Sequence, residues 1–269
     1  MKSLTDTFTL HNGTGIPCVG FGTAELRGEH GKRAFLTALE TGYRHLDSAQ
    51  MYYNEEMVGA AVKESGVPRE EVFITTKLAN DVRGYRETMD SLDESLRKLG
   101  TPYADLFLIH WPAPAPFKEN WRQMNAESWR AMEDLLEAGK VRSIGVSNFR
   151  PEHTKALLKT ARVKPMVNQI RLLPGYTQED VVAYSREEGM LLEAYSPLGA
   201  GEIFSSREMK DLARKYGRTV AQLAIRWCLQ RGFLPLPRSG NPDRIRENTG
   251  VFDFDISGED LVRLDRVKT

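Results

Sequence analysis

Gly42-Tyr-Arg-His-Leu-Asp47-Ser-Ala-Gln-Met-Tyr52-Tyr-Asn-Glu55 runs from a short apolar strand into a polar turn. His45 and Leu46 belong to the strand, Asp47 stands where it should end, and the phenol of Tyr52 follows five residues on. A carboxylate at the carboxyl end of a barrel strand, with a phenol nearby, is a candidate acid–base pair. The same residues could equally be a strand-end turn and an aromatic wedge. What decides between them is whether other strands end in the same way.

The rest of the chain repeats the unit. A hairpin comes first, Phe8 to Leu10 and Gly15 to Ile16, around the turn signal Asn12-Gly13. Cys18 to Thr23 reads as a strand with a Gly-rich end, which either lets backbone approach a ligand or makes a tight corner. Helical and strand patterns then alternate. Strands are expected at 44–47, 72–77, 104–109, 141–146, 165–169, 191–195 and 233–236, and helices at 31–41, 54–65, 85–99, 125–138, 151–159, 178–187, 205–215 and 219–230. Further helix begins near Pro242 and after Ser257. The strands are short and rich in Val, Ile and Leu, as when both faces are buried. Eight strands with intervening helices predict a (β/α)₈ TIM barrel with an N-terminal β-hairpin, and residues 1–269 are expected to form a single domain. The longest irregular piece, residues 111–124, is expected to be an active-site loop.

Composition narrows the partners. Lys plus Arg and Asp plus Glu are both 37, so the net charge is zero, which argues against nucleic acid or an anionic membrane as main partner. Two cysteines, Cys18 and Cys228, imply no disulfide framework. The first ten residues lack an apolar signal core, and no run approaches the ~20 apolar residues of a spanning helix. A cytoplasmic protein is expected.

Read at their carboxyl ends, the strands finish with Asp47, Lys77, His110, Ser147-Asn148, Gln169, Tyr195-Ser196 and Pro237-Arg238-Ser239. A rim of hydrogen-bonding side chains after apolar runs is what a pocket needs. Four of these groups can be assembled for carbonyl chemistry. A free Tyr titrates near pH 10, and an adjacent ammonium stabilises the phenolate. Lys77 can supply that ammonium, Asp47 can hold Lys77, and His110 can donate a hydrogen bond to the substrate oxygen. Taken singly, a strand-end lysine such as Lys77 is usually a solvated rim residue, and His110 could be a satisfied core histidine. Other templates fail. Gly20-Phe-Gly22-Thr-Ala-Glu25 lacks the third glycine of a dinucleotide fingerprint, there is no phosphate-binding loop, and the five histidines show no metal-ligand spacing. Glu193 should point into the barrel interior. A sugar hydrolase would pair it with Asp47, but Asp47 is needed by Lys77, so an internal salt bridge or hydrogen bond is expected for Glu193.

Six segments, in order, resemble the aldo-keto reductase family: 42–52, Ile-Thr-Thr-Lys-Leu (74–78), Leu-Ile-His-Trp-Pro (108–112), Gly-Lys-Val-Arg-Ser-Ile-Gly-Val-Ser-Asn-Phe (139–149), Ala-Tyr-Ser-Pro-Leu-Gly (194–199) and Pro-Arg-Ser-Gly-Asn-Pro-Asp-Arg-Ile-Arg-Glu-Asn (237–248). The resemblance implies NADPH/NADP+ as cofactor and reduction of a small-molecule carbonyl to an alcohol. It makes Asp47, Tyr52, Lys77 and His110 the catalytic tetrad, with Tyr52 the general acid. Ser147, Asn148 and Gln169 match residues that hold the nicotinamide carboxamide, and Tyr195 matches the residue stacked on its ring. Ser196 and Leu198 match pyrophosphate contacts. Arg238, Ser239 and Arg244 match the 2′-phosphate clamp, and Glu247 and Asn248 the adenine contacts. Gly22, Thr23 and Asp47 are further cofactor candidates, and Tyr52, His110 and Trp111 are the substrate candidates. No metal is expected.

Many relatives carry Trp where this chain has Ala24, and a long C-terminal loop where this chain ends about twenty residues after Asn248. Both point to an open pocket walled by Trp111, Tyr53 and the 112–124 loop. The short length resembles a bacterial branch that includes diketogluconate and methylglyoxal reductases. A monomer is expected. The rival reading is a nicotinamide-nucleotide-sensing interaction subunit on the same fold, whose mark would be a damaged tetrad.

Overall fold

The computed structural model describes residues 1–268. Its hairpin pairs β1 (Thr7–Thr9) antiparallel with β2 (Gly15–Pro17). Asn12 Nδ2 donates to Arg142 O at 2.9 Å and the His11 ring lies 3.2 Å from Lys164 O, and both carbonyls precede barrel strands. Leu10 and Ile16 are buried in the core from this side, so the hairpin closes the amino-terminal end of the barrel.

The barrel strands are β3 (Phe21–Gly22), β4 (His45–Asp47), β5 (Phe73–Leu78), β6 (Leu106–Ile109), β7 (Ile144–Ser147), β8 (Val167–Arg171), β9 (Leu191–Tyr195) and β10 (Leu234–Leu236). All are parallel, each paired with its sequence neighbour. The seam between first and last strands is joined by Gly20 N to Pro235 O and Gly22 N to Pro237 O, both 3.0 Å. This explains the glycines of the first strand. A Cβ on Gly20 would stand 2.5 Å from Leu236 Cδ2 and 2.6 Å from His45 Nδ1, so the barrel could not close over it. Of the two readings of that stretch, the close corner holds for Gly20. The regular strand is also shorter than the expected Cys18 to Thr23.

Helices α1 (Gly28–Thr41), α2 (Glu55–Ser65), α3 (Tyr85–Leu99), α4 (Trp121–Glu137), α5 (Pro151–Leu158), α6 (Glu179–Glu187), α7 (Arg207–Lys215) and α8 (Val220–Gln230) cover the sheet, and α9 (Pro242–Glu247) and α10 (Gly258–Asp265) follow it. Their amphipathic spacing is the cause of their placement. In α3, for example, Thr88, Leu92, Ser95, Leu96 and Leu99 are buried at helical intervals, and Gly100 ends the helix in the left-handed region. Thr219 starts α8 with a capping box to Gln222. The expected 111–124 loop is partly regular: residues 115–117 form a 3₁₀ turn and α4 begins at Trp121, four residues before the Asn125 predicted by apolar periodicity. No helix of the described residues is long and apolar enough to cross a membrane. Cys18 and Cys228 are free and buried.

Candidate active site

The stretch from Asp47 to Glu55 leaves the barrel at the carboxyl end of β4 and is tied down along its length. Ser48 Oγ donates to Asn54 Oδ1 at 2.8 Å, and Asn54 Nδ2 donates to Thr23 O and Leu26 O at 2.8 and 3.0 Å. Gln50 Oε1 accepts from Ala79 N at 2.7 Å, and its amide donates to Ser95 Oγ at 2.9 Å. These bonds hold the 3₁₀ turn Gln50–Tyr52 against β5 and α3, and so place Tyr52 over Lys77.

Lys77 is fully buried, and the three N–H donors of its ammonium meet three acceptor oxygens: Asp47 Oδ1 at 2.7 Å, Ser48 O at 2.9 Å and Tyr52 Oη at 3.3 Å. Because Nζ donates to the phenolic oxygen, the phenol's own hydrogen is left to point elsewhere. Burial works against the charge on Lys77, but Asp47 and Tyr52 outweigh it and hold its pKa above the ordinary value. For Tyr52 the balance is the reverse of the expectation. Burial, aided by the Asp47 charge, outweighs Lys77 and raises the phenol above its ordinary pKa. Lys77 thus offsets the desolvation of Tyr52 instead of making it more acidic than free tyrosine.

His110 lies edge-on to Tyr52, with ring centroids 5.8 Å apart. Burial, then the charges of Lys77 and Arg83, push its pKa down to about 3, so the ring is neutral at physiological pH. Its Nδ1 is buried without a partner. An orphaned lone pair costs less than an orphaned N–H, so the proton belongs on Nε2. Arg83 is itself buried, and its guanidinium donates to the carbonyls of Ala79, Val82 and Trp111 at 2.7, 2.6 and 2.7 Å.

A cavity of about 660 Å³ runs from Tyr52, His110 and Trp111 past Ser147, Asn148, Gln169 and Tyr195 to Arg238, Arg244 and Asn248. Gly22, Asp47, Ser196, Leu198, Ser239 and Glu247 also reach its wall. Two candidates do not. Lys77 lies beneath Tyr52, and Thr23 is fully buried, its hydroxyl donating to Asp47 O at 2.8 Å. Thr23 is therefore placed as a support of the Asp47 backbone, just behind the wall formed by Gly22.

Much of the middle of this wall is already hydrogen-bonded within the protein. Asn148, held at φ +62°, donates from Nδ2 to His110 O and Ser147 Oγ, both 3.1 Å, and accepts from Tyr195 Oη at 2.9 Å. Ser147 Oγ donates to Gln169 O at 2.8 Å. Gln169 Nε2 donates both hydrogens, to Asp47 Oδ2 at 2.8 Å and Glu193 Oε2 at 2.7 Å. What Gln169 leaves for a ligand is its carbonyl oxygen. Glu193 has the expected internal hydrogen bond and lies outside the cavity wall, and burial, then the Asp47 carboxylate, raises its pKa.

At the far end, Asn241 caps α9, accepting from Asp243 N and Arg244 N at 2.9 and 3.1 Å, and Ser239 Oγ accepts from Asn241 N at 3.1 Å. Arg244 projects into the cavity from this short helix. Arg238 reaches the opposite wall, pairing with Glu25 and donating to Ala24 O at 2.7 Å. Asn248 is buried with Oδ1 unpartnered, an acceptor awaiting an N–H. Two guanidiniums, this acceptor, the Tyr195 ring and the free oxygen of Gln169 fit the phosphate, base and carboxamide of a nicotinamide dinucleotide.

Two expected wall elements are absent from the cavity. Tyr53 is 73% exposed and lies under the Arg27 guanidinium, and no residue of 112–124 reaches the wall. Ala200, Gly201 and Phe204, after β9, line the cavity without having been expected to. Their positions at a break in a 3₁₀ segment, with Ala200 at φ +51°, carry no sequence signal beyond the glycines. Among the described residues there is no cluster able to hold a metal ion.

Fold and site are those of an oxidoreductase built on a (β/α)₈ barrel. The chain belongs to the aldo/keto reductase family, whose model matches residues 18–269. It is 42% identical over 264 residues to a glyoxal reductase of Bacillus subtilis, covering 98% of this chain and 93% of that one. An aldo/keto reductase crystal structure from Brucella melitensis superposes with a TM-score of 0.93 at 40% identity, covering 100% of both chains. A Bombyx mori aldo-keto reductase in complex with NADP superposes at 0.88 with 33% identity, covering 98% of this chain and 92% of that one.

Proposed function

We propose that this chain is an NADPH-dependent reductase of small aldehydes, ketones or keto-sugars, in which Tyr52 is the general acid. The observation that carries the reading is the buried Lys77 ammonium, saturated by Asp47, Ser48 and Tyr52, with the Tyr52 ring edge-on to a neutral His110 at one end of the cavity. The glyoxal reductase relative and the NADP complex of the Bombyx mori protein support it.

When bound, NADPH would supply the hydride for the carbonyl carbon. The protein's part is to receive the charge that develops on oxygen. Tyr52 gives its proton to that oxygen. The hydrogen bond from Lys77 Nζ then stabilises the phenolate left behind, and Asp47 holds Lys77 in place and charged. His110 Nε2–H donates to the same oxygen and orients it; a neutral ring does so without competing as an acid. Gln169 and Asn148 would receive the N–H groups of the nicotinamide carboxamide, and Tyr195 would stack on its ring. Arg238 and Arg244 would take the 2′-phosphate, which requires Arg238 to exchange Glu25 for phosphate oxygens. The unpartnered Asn248 Oδ1 suits the adenine amine. Trp111, 45% exposed at the cavity mouth, would be the substrate wall. The chain is read as one domain working as a monomer in the cytoplasm.

The test is consumption of NADPH and NADH with methylglyoxal, a nitrobenzaldehyde and a keto-sugar. Tyr52→Phe should lower the rate by about 10²–10⁴, and retained activity would refute Tyr52 as the acid. Arg238→Ala and Arg244→Ala should raise KM for NADPH far more than for NADH; equal effects would exclude the phosphate clamp.

A further inference from the structure

Below Gln169 lies a carboxyl group that the mechanism does not use. Glu193, in the middle of β9, is fully buried inside the barrel. Its Oε2 accepts one Gln169 amide hydrogen at 2.7 Å while Asp47 Oδ2 accepts the other at 2.8 Å. Its Oε1 has no partner. The bonds form one line, Glu193 to Gln169 to Asp47 to Lys77 to Tyr52, with steps of 2.7, 2.8, 2.7 and 3.3 Å.

We propose that Glu193 is a positioning residue for the cofactor: with Asp47 it clamps the Gln169 carboxamide so that its oxygen alone faces the cavity. This rests on the reading that Gln169 receives the nicotinamide carboxamide. An amide side chain is nearly symmetric in shape, and only its hydrogen-bond partners decide which end points outward. With acceptors on both sides of Nε2, a flipped Gln169 would set its oxygen against two acceptor oxygens and leave both amide hydrogens without those partners. Asp47 alone also disfavours the flip, but its other oxygen is engaged by Lys77, and one acceptor leaves the second hydrogen free to turn into the cavity. Glu193 removes that freedom. A buried carboxyl with a vacant oxygen also carries its cost more easily when protonated, and burial together with the neighbouring Asp47 favours the protonated form. Glu193 can therefore accept from Gln169 at Oε2 while adding no second negative charge beside the Asp47–Lys77 pair.

The experiment measures equilibrium binding of NADPH and of adenosine 2′,5′-bisphosphate, by quenching of protein fluorescence, to the wild type, Glu193→Leu and Glu193→Gln. The bisphosphate reports the adenine end of the groove and lacks the nicotinamide. Glu193→Leu removes the acceptor and should weaken NADPH about tenfold, with bisphosphate affinity unchanged. Glu193→Gln retains an acceptor oxygen and should return NADPH affinity to within about twofold of wild type. Three results would overturn the assignment: NADPH affinity untouched in Glu193→Leu, equal loss for both ligands, or a Gln variant as weak as the Leu variant. A wild type that binds neither ligand overturns the proposed function together with it, so the two failures are distinguishable. If Glu193→Leu does not fold, the Gln variant still decides: a tenfold loss of NADPH affinity with normal bisphosphate binding refutes the acceptor role.

Discussion

Replacing Lys77 by Met tests the centre of the site in two independent ways. The ammonium is wholly enclosed and satisfies Asp47 Oδ1, Ser48 O and Tyr52 Oη. Met matches its length and leaves a carboxylate, a carbonyl and a phenol without their donor. Breaking a buried ion pair from one side costs about 3–5 kcal/mol, because the remaining charge stays buried. Unfolding entropy of ~2.1 cal/mol/K per residue over 269 residues is about 0.56 kcal/mol/K, so that cost corresponds to a drop in Tm of about 5–9 °C. Lys77→Met/Asp47→Asn, which removes both charges, should be more stable than Lys77→Met. The phenolate also loses its donor, so the rate of carbonyl reduction should fall on the order of 10²–10⁴. Thermal denaturation at pH 8, with NADPH oxidation in parallel, measures all of this. A Tm within 2 °C (about 1 kcal/mol by the same conversion) of wild type at pH 8, or a loss that the second substitution deepens, would refute the buried-pair argument.

Arg83→Met should raise KM for the carbonyl severalfold while leaving NADPH affinity unchanged, because the guanidinium holds the Trp111 carbonyl and does not reach the cavity wall; equal effects on both ligands would contradict this. Gly59→Ala in α2 should destabilise by about 1–2 kcal/mol in urea unfolding although alanine favours helix, because its Cβ would overlap the Leu99 carbonyl. Stabilisation would mean that the two helices separate freely. His45 and His110 are both held neutral by burial, with pKa values of about 3 against 6.5 unfolded. Between those values the unfolded chain binds more protons, so their contribution to stability falls as pH drops from 6.5. His45→Gln should reduce that acid sensitivity between pH 6.5 and 5 by at most about 2 kcal/mol. Glu193, with its raised pKa, acts in the opposite sense above pH 4.5, so the comparison must be between His45→Gln and wild type and not within wild type alone.

Sequence alone determined the barrel and most of its rim. Apolar runs alternate with amphipathic ones at a spacing that admits few other folds, and each run ends in a polar side chain at a known end of a known element. Asp47, Lys77 and His110 follow from that rule, and Tyr52 follows from its place after Asp47. Hydrogen-bond direction and long-range neighbours were not legible, because they depend on residues brought together across the barrel. Thr23 turns inward to Asp47, Gln169 shows the cavity its oxygen and not its amide, and Glu25 meets Arg238 from more than two hundred positions away in the chain. The sign of the Tyr52 shift likewise belongs to the tertiary structure. Proximity of Lys77 could be inferred from spacing, but the desolvation that outweighs it exists only once the rim has closed around the phenol. Periodicity identifies which residues lie on the barrel. Only packing settles which of their atoms remain free to act.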